Sequence, residues 1–283
     1  MQTEKWSDYE IIATGGGEKL ERWGDVLLLR PDPQAIWQPP FDLSSYPGLH
    51  ARYARSHSGG GRWEILRAFP EEWTVGYGRL RFLVRPMGFK HTGLFPEQAY
   101  NWDAMTDIVL SRGGRPSVLN LFGYTGGASV ALAAAGAKVT HVDAAKNMVD
   151  RCRRNAALSS CPADGIRYIV DDCMKFVARE LRRGNRYDAV LMDPPSYGRG
   201  PGGEMWKLED NVCELVSRAA EVLSDSPLFF LINSYTTGLQ PTVLEDLLNI
   251  YLPAGKTTAY ELTLPTKDRG IKLPCGCTGL WRA

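Results

Sequence analysis

The chain of 283 residues lacks any long apolar run. Its longest, residues 227–233, is strand-sized, far short of the ~18 residues that a membrane span needs. The opening residues, MQTEKW, lack the apolar core of a signal peptide, so a cytoplasmic protein is expected. Neither charge is in excess: 33 Lys and Arg stand against 32 Asp and Glu, a formal net charge of +1. That balance excludes a basic coat over the whole surface, although a local basic face remains compatible with it. The six cysteines are scattered, and Cys275-Gly-Cys277 has no second pair or histidine beside it, so zinc spacing is missing. A chain this long also needs no disulfide staples. Reduced, mostly structural thiols and no metal are expected. With 44% hydrophobic and 23% charged residues, wholesale disorder is excluded. Internal repeats and low-complexity tracts are lacking too.

What is present changes character near residue 100. Residues 1–95 read as a small β-rich domain, with short strands at 9–13, 25–30, 63–68, 73–77 and 80–84 separated by glycine turns. Between residues 51 and 90, eight Lys or Arg face three acids, interspersed with Trp63, Phe69, Trp73, Tyr77, Phe82 and Phe89. Cations with flat rings suit an RNA surface. A half-buried sheet with core aromatics and solvated arginines reads equally well from the same residues. Residues 96–283 form the second domain. From 117 onward, short apolar strands alternate with helices: 118–121, 138–143, 166–172, 187–193 and 228–233 against 127–135, 148–158, 174–183, 208–224 and 242–251. Such alternation calls for a parallel sheet covered on both faces. Two closing strands, 257–264 and 273–281, with no helix between them, predict an antiparallel ending.

Chemistry concentrates at the predicted strand ends. The turn Asn120-Leu121-Phe122-Gly123-Tyr124-Thr125-Gly126-Gly127 follows the first strand, where a doubly wound sheet binds ligands. Its glycines allow close backbone approach, although a tight strand-to-helix connection needs them as well. Asp143, sixteen residues beyond Gly127, ends the next strand, where a carboxylate can accept both hydroxyls of a ribose. The G-x-x-G-G spacing departs from the G-x-G-x-x-G of a dinucleotide site. S-adenosylmethionine, which has no phosphate, asks only for backbone approach and a ribose acceptor. Asp172 ends the third strand and accepts an adenine amine, caps the following helix, or does both. Asp193-Pro194-Pro195-Ser196-Tyr197-Gly198 ends the fourth. Its prolines stop the ladder and stiffen the loop, so that Asp193 and the Pro194 carbonyl can orient an amine or base edge against an electrophilic methyl. Tyr197 and Tyr124 are candidate stacking rings, or rim and core aromatics. The segment 198–203 that follows reads as a mobile loop, with Arg199 a candidate phosphate contact.

Together, residues 120–127, Asp143, Asp172-Cys173 and Asp193-Pro194-Pro195 resemble class I S-adenosylmethionine-dependent methyltransferases. More narrowly, they resemble the bacterial large-subunit rRNA methyltransferases of the cytosine-C5 type and their guanine-N7 relatives, over roughly residues 75 to 250. Lys90-His91-Thr92-Gly93-Leu94-Phe95-Pro96-Glu97-Gln98 resembles that family's K-T-G segment, which implies that Phe95 and Gln98 pack over the methionine end of the cofactor. The resemblance implies a Rossmann-like seven-stranded sheet with an antiparallel last strand, preceded here by the small β-rich domain. It also implies a cofactor held by Phe122, Gly123, Tyr124, Thr125, Gly126, Gly127, Asp143, Asp172 and Asp193. Asp193, Pro194, Pro195 and Tyr197 would then form the catalytic corner. Two departures are visible. The family's PUA module is not recognisable here. Its Ser-Cys-Ser-Gly-Leu motif is matched by Tyr235-Thr236-Thr237-Gly238-Leu239, so Thr236 replaces the cysteine nucleophile, and a threonine hydroxyl is almost never ionised near neutral pH; a covalent route would need Cys275 or Cys277 from another strand. The expected activity is methyl transfer to a base, at a nitrogen of RNA and most simply of rRNA. A protein side chain or small molecule as acceptor, a nicotinamide-dependent dehydrogenase on the same sheet and a non-catalytic RNA-binding module are the alternatives.

Overall fold

A computed structural model describes residues 1–3, 5–56, 60–199 and 205–283. It divides into two compact units, Met1–Ala99 with Thr263–Cys275, and Tyr100–Leu262 with Gly276–Ala283.

The first unit holds a five-stranded sheet of β1 (Tyr9–Gly15), β2 (Glu18–Trp23), β3 (Val26–Pro31), β4 (Ala51–Arg55) and β5 (Gly61–Ile65), ordered as they follow in the chain. All its pairings are antiparallel except β3 with β4. A separate hairpin joins β6 (Trp73–Tyr77) to β7 (Leu80–Val84). Two strands are absent from the sequence reading, β2 and β4. The β2 segment EKLERW carries too much charge to register as a strand, yet Glu21 within it is fully buried. Arg30 on the neighbouring β3 makes this tenable, donating from Nε at 2.5 Å and from a terminal nitrogen at 2.8 Å to the two Glu21 oxygens. Tyr9 adds a hydroxyl at 2.7 Å. A buried carboxylate persists only when so paired.

Several aromatics considered for base stacking serve this unit instead. Tyr77 and Phe82 are buried, Trp73 donates its indole N–H to the Trp23 carbonyl, and Trp63 donates to the Met87 carbonyl. Of the six, Phe89 stands clearly exposed.

The second unit opens with α1 (Ala99–Arg112), a helix that the sequence reading does not contain. Then come β8 (Ser117–Leu121), α2 (Gly127–Ala134), β9 (Lys138–Asp143), α3 (Lys146–Leu158), β10 (Ile166–Val170), α4 (Cys173–Arg183) and β11 (Ala189–Met192). A small hairpin of β12 (Tyr197–Arg199) and β13 (Met205–Lys207) precedes α5 (Leu208–Ala220), β14 (Phe229–Ser234), α6 (Pro241–Tyr251), β15 (Lys256–Pro265) and β16 (Lys272–Arg282). The seven strands of the large sheet run β10-β9-β8-β11-β14-β16-β15. β8 to β11 and β14 pair in parallel, and β16 runs antiparallel to β14, as the helix-free ending predicts.

Apolar content explains the central position of β11 and β14. Every residue of both is buried, which suits strands covered on both faces. Phe176, Val190, Leu215, Phe230, Leu248 and Trp281 pack in one core against helices α4, α5 and α6. Among the described residues no helix is long and apolar enough to cross a membrane, and all six cysteines are free thiols.

Candidate functional site

Strand register brings the candidate residues to one edge of the parallel sheet. Leu121 of β8 pairs with Val142 of β9 on one side and Met192 of β11 on the other, while Asp143 pairs with Val170 of β10. The segments following Leu121, Val142 and Met192 therefore leave the sheet side by side at its carboxyl ends. The first carries the glycine turn, the second ends in Asp143, and the third begins with Asp193.

The turn is strained and firmly held. Phe122 and Tyr124, neither of them glycine, adopt left-handed backbone with φ of 56° and 51°, a conformation that costs of order 1–2 kcal/mol per residue and gathers at ligand sites. The Phe122 amide donates to the Cys173 sulfur at 3.2 Å, and the Tyr124 amide to Asp143 Oδ2 at 2.8 Å. Asn155, buried on α3, donates to the Thr125 carbonyl at 2.9 Å. Below the turn, Asn120 and His141 both meet the Ser129 hydroxyl, at 2.8 and 2.9 Å. Burial lowers His141 to about 4, so its ring is neutral at ordinary pH.

The three glycines have a packing reason beyond ligand approach. A Cβ on Gly123 would lie 2.3 Å from the His141 ring, one on Gly126 2.1 Å from the Cys152 sulfur, and one on Gly127 2.5 Å from the Trp102 ring. Gly126 also sits at φ +86° as the cap of α2. Protein side chains thus occupy one side of the turn, which pushes its backbone toward the other.

Asp143 uses each carboxylate oxygen on a backbone N–H, Oδ2 on Tyr124 and Oδ1 on Ala145, both at 2.8 Å. A carboxylate accepts about four hydrogen bonds, so these two leave capacity for a bound group. Burial pushes this carboxyl above the usual range, against the pull of the two amides. Asp172 caps α4: its Oδ1 accepts from the Lys175 amide at 2.9 Å.

At the third strand end, Asn233 donates from Nδ2 to Asp193 Oδ1 at 3.1 Å. Pro194 is buried and Pro195 exposed. The Pro195 carbonyl accepts the Trp206 indole N–H at 2.7 Å, and the Trp206 ring lies 5.8 Å from that of Phe122. Tyr197 is half exposed on β12 and donates its hydroxyl to the Met205 sulfur. Of the segment 198–203 read as a mobile loop, Gly198 and Arg199 belong to β12, which pairs with β13 from Tyr197↔Lys207 to Arg199↔Met205. Residues 200–203 and the Arg199 side chain lie outside the described residues.

Phe95 and Gln98 belong to the first unit, flanking and ending the single turn Pro96–Gln98. The preceding Phe89 and Lys90 form a second left-handed pair, at φ 54° and 67°. Sequence reasoning missed Asn233, Trp206, Ser129 and His141. Each is a lone polar or aromatic residue that only tertiary packing relates to a motif.

Comparison with known proteins agrees with this geometry. Residues 48–246 match the family model of S-adenosylmethionine-dependent methyltransferases. A crystal structure of a SAM-dependent methyltransferase from Agrobacterium tumefaciens superposes with a TM-score of 0.93 at 34% identity, covering 100% of this chain and 92% of that one. The ribosomal RNA large subunit methyltransferase K/L of Shewanella frigidimarina is 28% identical over 153 residues, 53% of this chain and 20% of that protein. Ribosomal RNA large subunit methyltransferase I of Klebsiella pneumoniae is 29% identical over 119 residues, 42% and 29% respectively. The chain thus spans less than a third of either of these two relatives.

Proposed function

Because the chain belongs to the S-adenosylmethionine-dependent methyltransferase family, we propose that it methylates a nitrogen of a nucleic-acid base, with rRNA as the substrate. The observation that carries this reading is the adjacency of the Asp193-Pro194-Pro195 corner to the Phe122–Gly127 turn, on neighbouring parallel strands. When bound, the cofactor supplies an electrophilic methyl on a sulfonium. The backbone of residues 122–127 and the Asp143 carboxylate hold its nucleoside, and Asp172 completes its binding. The left-handed residues around Gly123 and the remaining acceptor capacity of Asp143 fit a ligand without phosphate.

At the other side of the reaction, Asp193 and the stiffened Pro194-Pro195 backbone accept hydrogen bonds from an amine or base edge and align a nitrogen lone pair with the methyl. As the N–C bond forms, the S–C bond breaks with its pair left on sulfur, and the proton shed by the nitrogen passes to Asp193 or solvent. Displacement at the methyl needs collinear approach at roughly 3 Å more than it needs a strong base. Tyr197, exposed beside that corner, offers a ring for an unstacked base. Neither Thr236 nor Cys277 is set up for a covalent route. The Thr236 hydroxyl is buried without a hydrogen-bond partner, and the Cys277 thiol, pushed up to about 11 by burial, donates to the Leu239 carbonyl at 2.9 Å. The large-subunit rRNA methyltransferases among the relatives support RNA as the substrate class.

The test incubates the chain and methyl-labelled cofactor with total RNA and, separately, total protein from cells lacking the gene. Label in RNA, traced by nucleoside mass spectrometry to a base nitrogen, is expected. Label at a carbon, in protein alone, or nowhere would overturn the reading.

A further inference from the structure

Four residues from four separate elements form a continuous chain of hydrogen bonds, buried at its centre, that ends on Asp193. Tyr260 of β15 donates its hydroxyl to Asn101 Oδ1 at 2.8 Å. Asn101 of α1 donates from Nδ2 to the Thr278 hydroxyl at 3.0 Å. Thr278 of β16 donates to Asn233 Oδ1 at 2.8 Å, and Asn233 of β14 donates to Asp193 Oδ1 at 3.1 Å. Asn101, Thr278 and Asn233 are at most 1% exposed.

The direction of this chain is dictated from its end. An ionised carboxylate only accepts, so Asn233 must turn its amide nitrogen toward Asp193 and its oxygen toward Thr278. Thr278 has one proton, which it must then give to that oxygen, so it can only accept from Asn101. Asn101 consequently presents its nitrogen to Thr278 and its oxygen to Tyr260, which donates. Burial pushes the Tyr260 hydroxyl well above its ordinary range, so the terminal donor keeps its proton. All four links point the same way, an arrangement in which each bond polarises the next, and the last is charge-assisted.

We infer that Asn101, Thr278 and Asn233 are positioning residues that fix the Asp193 carboxylate in one rotamer for the acceptor, with Tyr260 closing the relay. The inference rests on the reading of Asp193 as the acceptor-side carboxylate. Packing alone would not need this polarity. Asn233 sits on a fully buried strand where an apolar residue would satisfy the core, and an unpartnered polar group there is costly. The relay places a donor at the carboxyl end of β14, next to β11, the strand that Asp193 follows, and anchors it from α1 and β16.

Thr278→Val removes the central hydroxyl at constant volume, and Thr278→Ser keeps it. Two readouts are taken on the full chain: the Asp193 side-chain rotamer in crystals of each variant, and kcat and KM for labelled cofactor with total RNA from cells lacking the gene. For Thr278→Val, Asp193 should leave its single rotamer, and kcat should fall by about tenfold, the loss expected when a buried hydrogen-bond partner is orphaned. KM for the cofactor should change by less than about twofold. Thr278→Ser should restore both rotamer and kcat. If Thr278→Val does not fold, Tyr260→Phe, at the half-buried end of the relay, should lower kcat by about threefold. An unmoved Asp193 with unchanged kcat in the folded variant overturns the relay, as does equal damage from Val and Ser. Failure of the wild-type chain to label RNA, or full activity of Asp193→Ala, instead overturns the acceptor reading, and the rotamer measurement still decides the relay.

Discussion

Trp206 donates its indole N–H to the carbonyl of Pro195 at 2.7 Å, so the far end of the Asp-Pro-Pro corner is held by a residue on the next hairpin. The same indole lies against Phe122, the first residue of the glycine turn. Trp206 thus touches both sides of the reaction proposed. Trp206→Phe keeps an aromatic ring, smaller than the indole, and deletes the donor. It should lower kcat for RNA methylation several-fold and leave cofactor affinity nearly unchanged. Stability should drop by about 1 kcal/mol, the net worth of one hydrogen bond. Steady-state kinetics and calorimetry check this.

Gly126→Ala should damage the cofactor side. The new Cβ would meet the Cys152 sulfur at 2.1 Å, and φ is +86°. Overpacking costs about 1–3 kcal/mol, and a left-handed non-glycine residue roughly 1–2 kcal/mol more. Urea unfolding should show a loss of this size, with cofactor binding by calorimetry weakened at least tenfold.

Asp143 makes the cofactor affinity pH-dependent. Its carboxyl is raised by burial, and the ionised form is the acceptor. Affinity should therefore fall as pH drops through this raised value, beginning above the range of an ordinary aspartate near 3.9. The same shift means that ionised Asp143 costs the fold stability at neutral pH. Asp143→Asn loses one of two backbone acceptors and should bind the cofactor at least tenfold more weakly, with the acid-side dependence gone. Calorimetric titration between pH 4.5 and 8 distinguishes these outcomes.

Glu21 governs the acid stability of the first unit. Burial alone would raise its carboxyl, but Arg30 and then Lys19 outweigh burial and hold it at about 2. Its stabilisation is complete above the unfolded value near ~4.3 and is lost as pH falls toward 2. Glu21→Gln strands the Arg30 charge and should cost about 3–5 kcal/mol at pH 7. The gap between wild type and variant in urea unfolding should narrow from pH 7 to pH 3; a constant gap contradicts the assignment.

Cys277→Ala should leave the rate of methyl transfer unchanged, because that thiol is a protonated donor to Leu239. A loss of transfer with the fold intact would restore a covalent route.

The parallel sheet, its antiparallel ending and the positions of Phe122–Gly127, Asp143 and Asp193 are legible in local patterns: apolar strand-length runs, glycine and proline turns, and acids at strand ends. The remaining features arise only from packing. β2 stayed hidden because its charge is legible as core only once Arg30 is seen on the adjacent strand. Asp172 offered two roles in sequence, and the Lys175 amide shows that it caps α4. Asn101, Asn233 and Thr278 carry no motif, because a hydrogen-bond relay between residues 40 to 177 positions apart is a property of packed strands and helices. Periodicity reports which face of an element is buried; it holds no information about which buried polar groups meet.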